Sequence, residues 1–272
     1  MTSHAPRLPF SLDPLIAEAK RRARRRWLGI ALILALLAGG TAVVLRSSGA
    51  SPLTGPQGVL ASTVAAALAQ HSVHWTEAGG EDMRGSFRST SDVTADSGVQ
   101  RLTITPGRSG TAEIRLVDGV VYVKGSFGGL QWVLNLNDMQ ALKYGERWIS
   151  VPKGDPLFAH LTDGLTLASV VHDATTPDLG TGVEIKRRVM RAKSHGKAVL
   201  VLEEGEHAGT YMRLSMHASG ERLPVAVYMQ DGIASFWHGT FSKWNAPVHP
   251  AAPMHAVPIA TVRLTPERPA GR

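Results

Sequence analysis

The sequence has no cysteine. That absence excludes disulfides, thiolate metal sites, a cysteine nucleophile and a lipid-modified lipobox cysteine. A domain of about 220 residues buries around 70% of its unfolded surface, so it needs no such staples. Catalytic signatures are missing as well. There is no H-E-x-x-H and no Walker A sequence. GSFGG (125–129) lacks the spacing and the strand–turn–helix context of a nucleophile elbow. The chain is therefore read as a non-enzyme, and no motif calls for a cofactor or a metal. Apolar runs long enough to span a bilayer are absent except for one, which excludes a polytopic membrane protein. With 28 Gly and 16 Pro the chain is turn-rich. It has no low-complexity character, so it is not a collagen, a coiled coil or a wholly disordered protein.

Acidic residues are the minority, 22 against 29 Lys and Arg, for a formal charge of +7. Residues 1–26 hold seven basic and two acidic side chains, so most of the excess sits there. A basic segment placed before an apolar run does not read as a nucleic-acid footprint, and no nucleic-acid partner is expected.

Trp27 to Leu45, WLGIALILALLAGGTAVVL, carries no charge. At about 1.5 Å per residue it reaches roughly 28 Å, close to a hydrocarbon core. KRRARRR (20–26) precedes it and only Arg46 follows closely. The positive-inside bias then predicts a single-pass plasma-membrane protein with a cytoplasmic N-terminus and a large extracytoplasmic domain. A cleaved secretory signal is the competing reading, because Ala38 to Ala42 are small. The expected organisation is a basic tail (1–26), a transmembrane helix (27–45), a linker (46–56), a folded domain (57–250) and a Pro/Ala-rich tail (251–272) read as loop.

In the large domain, Val59, Leu60, Val64, Ala67 and Leu68 recur at helical spacing. After this helix the period changes to two. Strands are expected over 83–94, 99–105, 112–117, 120–125, 147–152, 183–193, 197–205, 210–218, 223–230 and 234–244. Asp118-Gly119 and Asp231-Gly232 are hairpin signals. Trp132, Leu136, Met139 and Leu142 suggest a helix or lid over 127–145. Residues 155–173 read as helical, with a break at Gly164. These elements predict an α+β fold: a highly curved antiparallel sheet of about ten strands with helices on one face.

Several charged groups need weighing. His71 and His74 read as a surface pair rather than a metal pair, for want of a third ligand. His172-Asp173 sits at a helix end, where the helix dipole stabilises a histidine. EEGE (203–206) reads as an acidic turn without calcium-loop spacing. KRRVMRAK (186–193) reads as a solvated strand face; the sharper reading is contact with acidic lipid headgroups.

DGVVYVKG (118–125), then a helical stretch, then GERWISVP (145–152) and DPLF (155–158), resembles the LppX/LprG-type cell-envelope lipoproteins. LPVAVYMQDG and the strand before APV (246–248) match the same pattern. The resemblance covers about residues 57–250. It implies a LolA-like half-barrel wrapped on helices, with an apolar cavity for acylated lipids or lipoglycans. The family's lipidated cysteine is missing, and an apolar anchor stands in its place. The candidate cavity or mouth residues are then Trp132, Met139, Leu142 and Phe158 on helices, and Met212, Leu214, Met216, Val225, Val227, Met229 and Trp237 on strands. Methionines suit variable acyl chains, and they equally fill an irregular core. The leading expectation is non-covalent binding of an acyl lipid or lipoglycan-like ligand. The alternative is a sensory or scaffold domain with a protein partner.

Overall fold

The computed structural model describes residues 55–81, 85–105, 109–176, 186–205, 211–231 and 235–264. The expected basic tail, membrane segment and most of the linker lie outside the described residues. Among the described residues, no helix is long and apolar enough to cross a membrane.

The chain begins with α1 (Pro56–Leu68) and continues through β1 (Ser72–Glu81), β2 (Gly85–Thr94), β3 (Gly98–Thr105), β4 (Gly110–Val117) and β5 (Val120–Gly125). Then come α2 (Phe127–Leu134), α3 (Asp138–Tyr144), β6 (Ile149–Pro152), α4 (Phe158–Leu161) and α5 (Leu167–Thr175). The second half holds β7 (Lys186–Ser194), β8 (Lys197–Gly205), β9 (Tyr211–His217), β10 (Pro224–Asp231), β11 (Ser235–Ser242), β12 (Val257–Pro258) and α6 (Ile259–Arg263).

The twelve strands among the described residues join one open curved sheet in the order β12-β6-β5-β4-β3-β2-β1-β11-β10-β9-β8-β7. Neighbours are antiparallel, except that β12 lies parallel to β6. The α+β class and the antiparallel sheet are as expected, but in place of one meander there are two, β1–β6 and β7–β11, joined by the β1–β11 pair; among the described residues the strand count is higher by two. One added strand is β1, in the middle of the sheet. The other is β12, from the tail read as loop. That tail also supplies α6, whose Ile259 and Val262 are buried in the core. Their burial keeps the segment on the sheet despite its Pro/Ala-rich lead-in.

Alternation explains the clear strands. Leu102 and Ile104, Ala112, Ile114 and Leu116, and Val121 and Val123 are buried, while their neighbours reach solvent. Asp118 and Gly119 have φ of 50° and 73°, as a type I′ turn requires. His195 and Gly196 (48° and 78°) make the same kind of turn between β7 and β8. The expected turn at Asp231-Gly232 falls partly outside the described residues.

The stretch 127–145 is two helices rather than one. Ser126 caps α2, accepting from the Gly129 N–H at 3.4 Å and the Thr111 N–H at 3.0 Å. A Cβ at Gly110 or Gly129 would collide with the facing backbone, so these glycines let α2 lie directly on β4. GSFGG is thus a helix start at a close approach. Asn135 then turns left-handed (φ 52°), and Asn137 with Gln140 forms a capping box that starts α3. The interruption resets the helical phase. Leu136, Ala141 and Tyr144 become the buried set, while Met139 and Leu142 face solvent.

Two apolar clusters line the covered face. The first joins β3–β6 to α2, α3 and α6, with Ile114, Val123, Leu130, Tyr144 and Ile149 among its members. The second joins β1 and β8–β11 to α1 and α5, through Trp75, Leu202, Met212, Leu214, Met216, Val227, Val59 and Val170.

Candidate functional site

Inward positions on β1 and β11 form an aromatic ladder. Register places Trp75 opposite Phe241, Glu77 opposite Gly239, and Gly79 opposite Trp237. The Trp75 and Phe241 ring centroids are 4.3 Å apart, and those of Trp75 and Trp237 5.7 Å. Trp244 stacks on Phe241 at 5.6 Å. Trp75 is sealed because Gly239 offers no side chain; a Cβ there would collide with the indole. Trp237, further along, is only half-buried. A Cβ on Gly79 would lie 2.9 Å from the Phe87 ring and 3.2 Å from the Trp237 ring. The two half-buried rings therefore close over the buried Gly79 backbone, with half-buried Met229 opposite Trp237.

A polar seam crosses the same face. Trp237 Nε1 donates to Glu77 Oε2 at 3.1 Å, and Ser89 Oγ donates to Glu77 Oε1 at 2.7 Å. Gln100 Nε2 donates to Ser89 Oγ at 3.4 Å. Ser91, opposite both Trp75 and Gln100, is fully buried, and its hydroxyl has no partner. The two donors to Glu77 offset the desolvation of a carboxylate on an otherwise apolar face.

The structure divides the expected site residues between two regions. Met212, Leu214, Met216 and Val227 point inward, but they are sealed in the second cluster at 0–2% exposure. Thr63 of α1 closes over Met216, its hydroxyl 3.0 Å from the sulfur. Val225 departs from the expected stripe. A register shift between Pro224 and Ala226 puts Pro224 opposite Met216 and leaves Val225 half-buried. Of the expected strand residues, Met229 and Trp237 stay partly open together with Val225. Phe158 is half-buried against the first cluster. Trp132, Met139 and Leu142 are 53%, 41% and 71% exposed on α2 and α3, apart from the strand methionines. Sequence reasoning missed Trp75, Glu77 and Gly79 because β1 was not recognised as a strand. Phe87 and Phe241 lay within expected strands, and period-two alignment with Trp237 could have found them.

Other groups resolve as structural contacts. His74 Nδ1 lies 2.6 Å from Asp92 Oδ1, and His71 is exposed. Among the described residues no group of three side chains could hold a metal. His172 Nδ1 is 3.4 Å from the Thr176 hydroxyl. The acidic stretch at 203 is strand, not turn, so Glu203 and Glu204 face opposite sides. Outward, Glu203 pairs with Arg188 and Arg213 at 2.5 and 2.8 Å. Burial raises its pKa, yet the hydrogen bonds from the two arginines outweigh this and hold the carboxyl below its ordinary value. Inward, Glu204 is 1% exposed and pairs with Arg187 at 2.7 Å.

This is an open sheet with helices packed on one face. No family model matches the chain, and no curated protein does. Among solved structures it is similar to LprF from Mycobacterium bovis: 17% identity over 74% of this chain and 97% of that one, TM-score 0.44. It is also similar to the Mycobacterium tuberculosis lipoprotein LppX: 15% identity, 71% and 98% covered, TM-score 0.42. A third is a LolA superfamily protein from Nitrosomonas europaea: 11% identity, 72% and 96% covered, TM-score 0.29.

Proposed function

We propose that the concave face binds a hydrophobic ligand, an acyl lipid or lipoglycan-like amphiphile, without covalent chemistry. The domain handles that ligand in the cell envelope, held at the plasma membrane by residues 27–45. The observation that carries this reading is uneven sealing of one apolar face. Trp75, Met212, Leu214 and Met216 are closed off, while Phe87, Met229 and Trp237 stay half open beside them. Inward apolar groups left partly wet in a folded domain are a binding surface when they are contiguous.

Native mass spectrometry of the full chain, released from membranes in a mild detergent, tests this. A stoichiometric lipid is expected on the parent protein. Met229→Arg places a charge at the opening and should reduce that occupancy about tenfold, a change of ~1.4 kcal/mol. A clean apo mass that takes up nothing from added lipid extract overturns the proposal.

A second reading draws on a different surface. Phe127, Trp132, Met139 and Leu142 are large apolar side chains at 41–71% exposure on adjoining helices. They favour a protein partner in a sensory or scaffold role. Loss of partner capture with Trp132→Ser, and no bound lipid, would support that reading instead.

A further inference from the structure

Among the described strand side chains, the inner face is uncharged across most of its width, and its cations are gathered at one edge. Register fixes which β7 side chains share that face. Arg187, Val189 and Arg191 lie opposite Glu204, Leu202 and Leu200. Those three lie opposite Met212, Leu214 and Met216, whose burial marks the inner side. Lys193 continues the same row. Among the described strand side chains, the inward charges are Glu77, Glu204, Arg187, Arg191 and Lys193. Both carboxylates are engaged: Glu77 by Trp237 and Ser89, Glu204 by Arg187. Arg191 and Lys193 are exposed and form no ion pair among the described side chains.

Beside these cations runs an apolar strip. Val189 and Leu200 of the sheet and Leu60 and Val64 of α1 are half-buried against the second cluster. α1, which packs on β7 and β8, has no charged residue. Among the described side chains, the strip therefore meets two cations and no anion that is not already held.

We propose that this edge is a headgroup site for an anionic amphiphile. The chain lies along Leu60, Val64, Val189 and Leu200. The anionic head, phosphate or carboxylate, sits at Arg191 and Lys193, whose stems cover apolar surface while their charged ends reach water. Arg187 borders the site, fixed by Glu204. This assignment rests on the hydrophobic-ligand reading and adds the charge class of the ligand. Charges on an edge strand also deter edge-to-edge pairing. That role needs no apolar strip beside them; on the outward side of the strand Arg188 is held by Glu203, and Met190, Ala192 and Ser194 carry no charge.

The test is photo-crosslinking of the full chain in phosphatidylcholine nanodiscs. Three probes share a hexadecyl chain with a diazirine near its methyl end: hexadecyl phosphate, hexadecanoic acid and hexadecanol. The phosphate should label peptides of α1, β7 and β8 about tenfold more than the alcohol, and 0.5 M NaCl should erode this preference. Labelling by the acid as well makes the head a generic anion; labelling by the phosphate alone makes it a phosphate. Either outcome supports the site. Arg191→Gln/Lys193→Gln should reduce phosphate labelling to the alcohol's level, and Arg191→Lys/Lys193→Arg should retain it. Equal labelling by all three probes overturns the headgroup site while leaving the hydrophobic reading intact. Altered self-association of the Gln variant with its probe preference unchanged also overturns it, in favour of edge protection. If no probe labels the inner face, both readings fail.

Discussion

Asp155 ties the C-terminal helix to the loop before α4. Arg263 donates to both of its oxygens, at 2.6 and 2.9 Å, and the Leu157 N–H donates at 2.9 Å. The Arg263 hydrogen bonds, chiefly, hold the Asp155 carboxyl below its ordinary 3.8 against the opposing effect of burial. A folded-state pKa below the unfolded one favours the folded state above the unfolded value; that gain is lost as pH falls from 3.8 through the lower folded value. Arg263 is 44% exposed, so solvent screening limits the pair to about 1 kcal/mol. Asp155→Asn should then be less stable than the parent by ~1 kcal/mol at pH 7, with the gap closing below the ordinary carboxyl pKa. Urea unfolding across a pH series checks this, and a gap that stays constant into acid would refute it. At the same scale, Gly239 and Gly79 show how an absent side chain shapes a face. The first seats the Trp75 indole, and the second lets the Phe87 and Trp237 rings close on its backbone.

Elements were legible in proportion to how strictly they alternate. β3, β4 and β9 set apolar residues mostly two apart, β5 and β8 read as short apolar runs, and the sequence shows both kinds directly. β1 was hidden. Its inward row runs Val73, Trp75, Glu77, Gly79, and the last two break the apolar pattern. Those two positions are the ones that build the polar seam and the close approach of the Phe87 and Trp237 rings, so the feature that concealed the strand is the candidate site itself. β12 and α6 were hidden for another reason: their stability comes from packing rather than local pattern. Ile259 and Val262 are 2% and 0% exposed in the first cluster, and Gln140 of α3 donates to the Val262 carbonyl at 3.3 Å. Ile259→Ala should therefore cost about 2–4 kcal/mol, as for other large-to-small core changes. A shift of the urea midpoint reads this directly. A change under ~0.5 kcal/mol, the range of surface substitutions, would show that the helix is peripheral.

For the whole molecule, topology sets the folding order. β2 through β5 pair with sequence neighbours, whereas β1 pairs with β11, with Thr76 and Thr240 in contact across 164 residues. Closing so long a loop is entropically costly, so this pairing forms late. Pulse-labelled hydrogen exchange during refolding should protect the β4–β5 hairpin before the β1–β11 ladder. Simultaneous protection of both would show that the sheet condenses as one unit. Late closure also means that the aromatic ladder, which spans β1 and β11, forms last.

The sequence by itself determined the α+β class, the antiparallel succession, most strand positions, the Asp118-Gly119 hairpin and the helix break at Gly164. These follow from local periodicity and turn chemistry, which act over a few residues. Only the tertiary structure decided which inward side chains are sealed and which stay open. Burial of Met212 and Met216 depends on α1 closing over them, and exposure of Met139 and Leu142 depends on the phase reset at Asn135. The seam at Glu77 exists only because β1 and β11 meet from distant parts of the chain. Contacts between residues far apart in sequence leave no local periodicity to read.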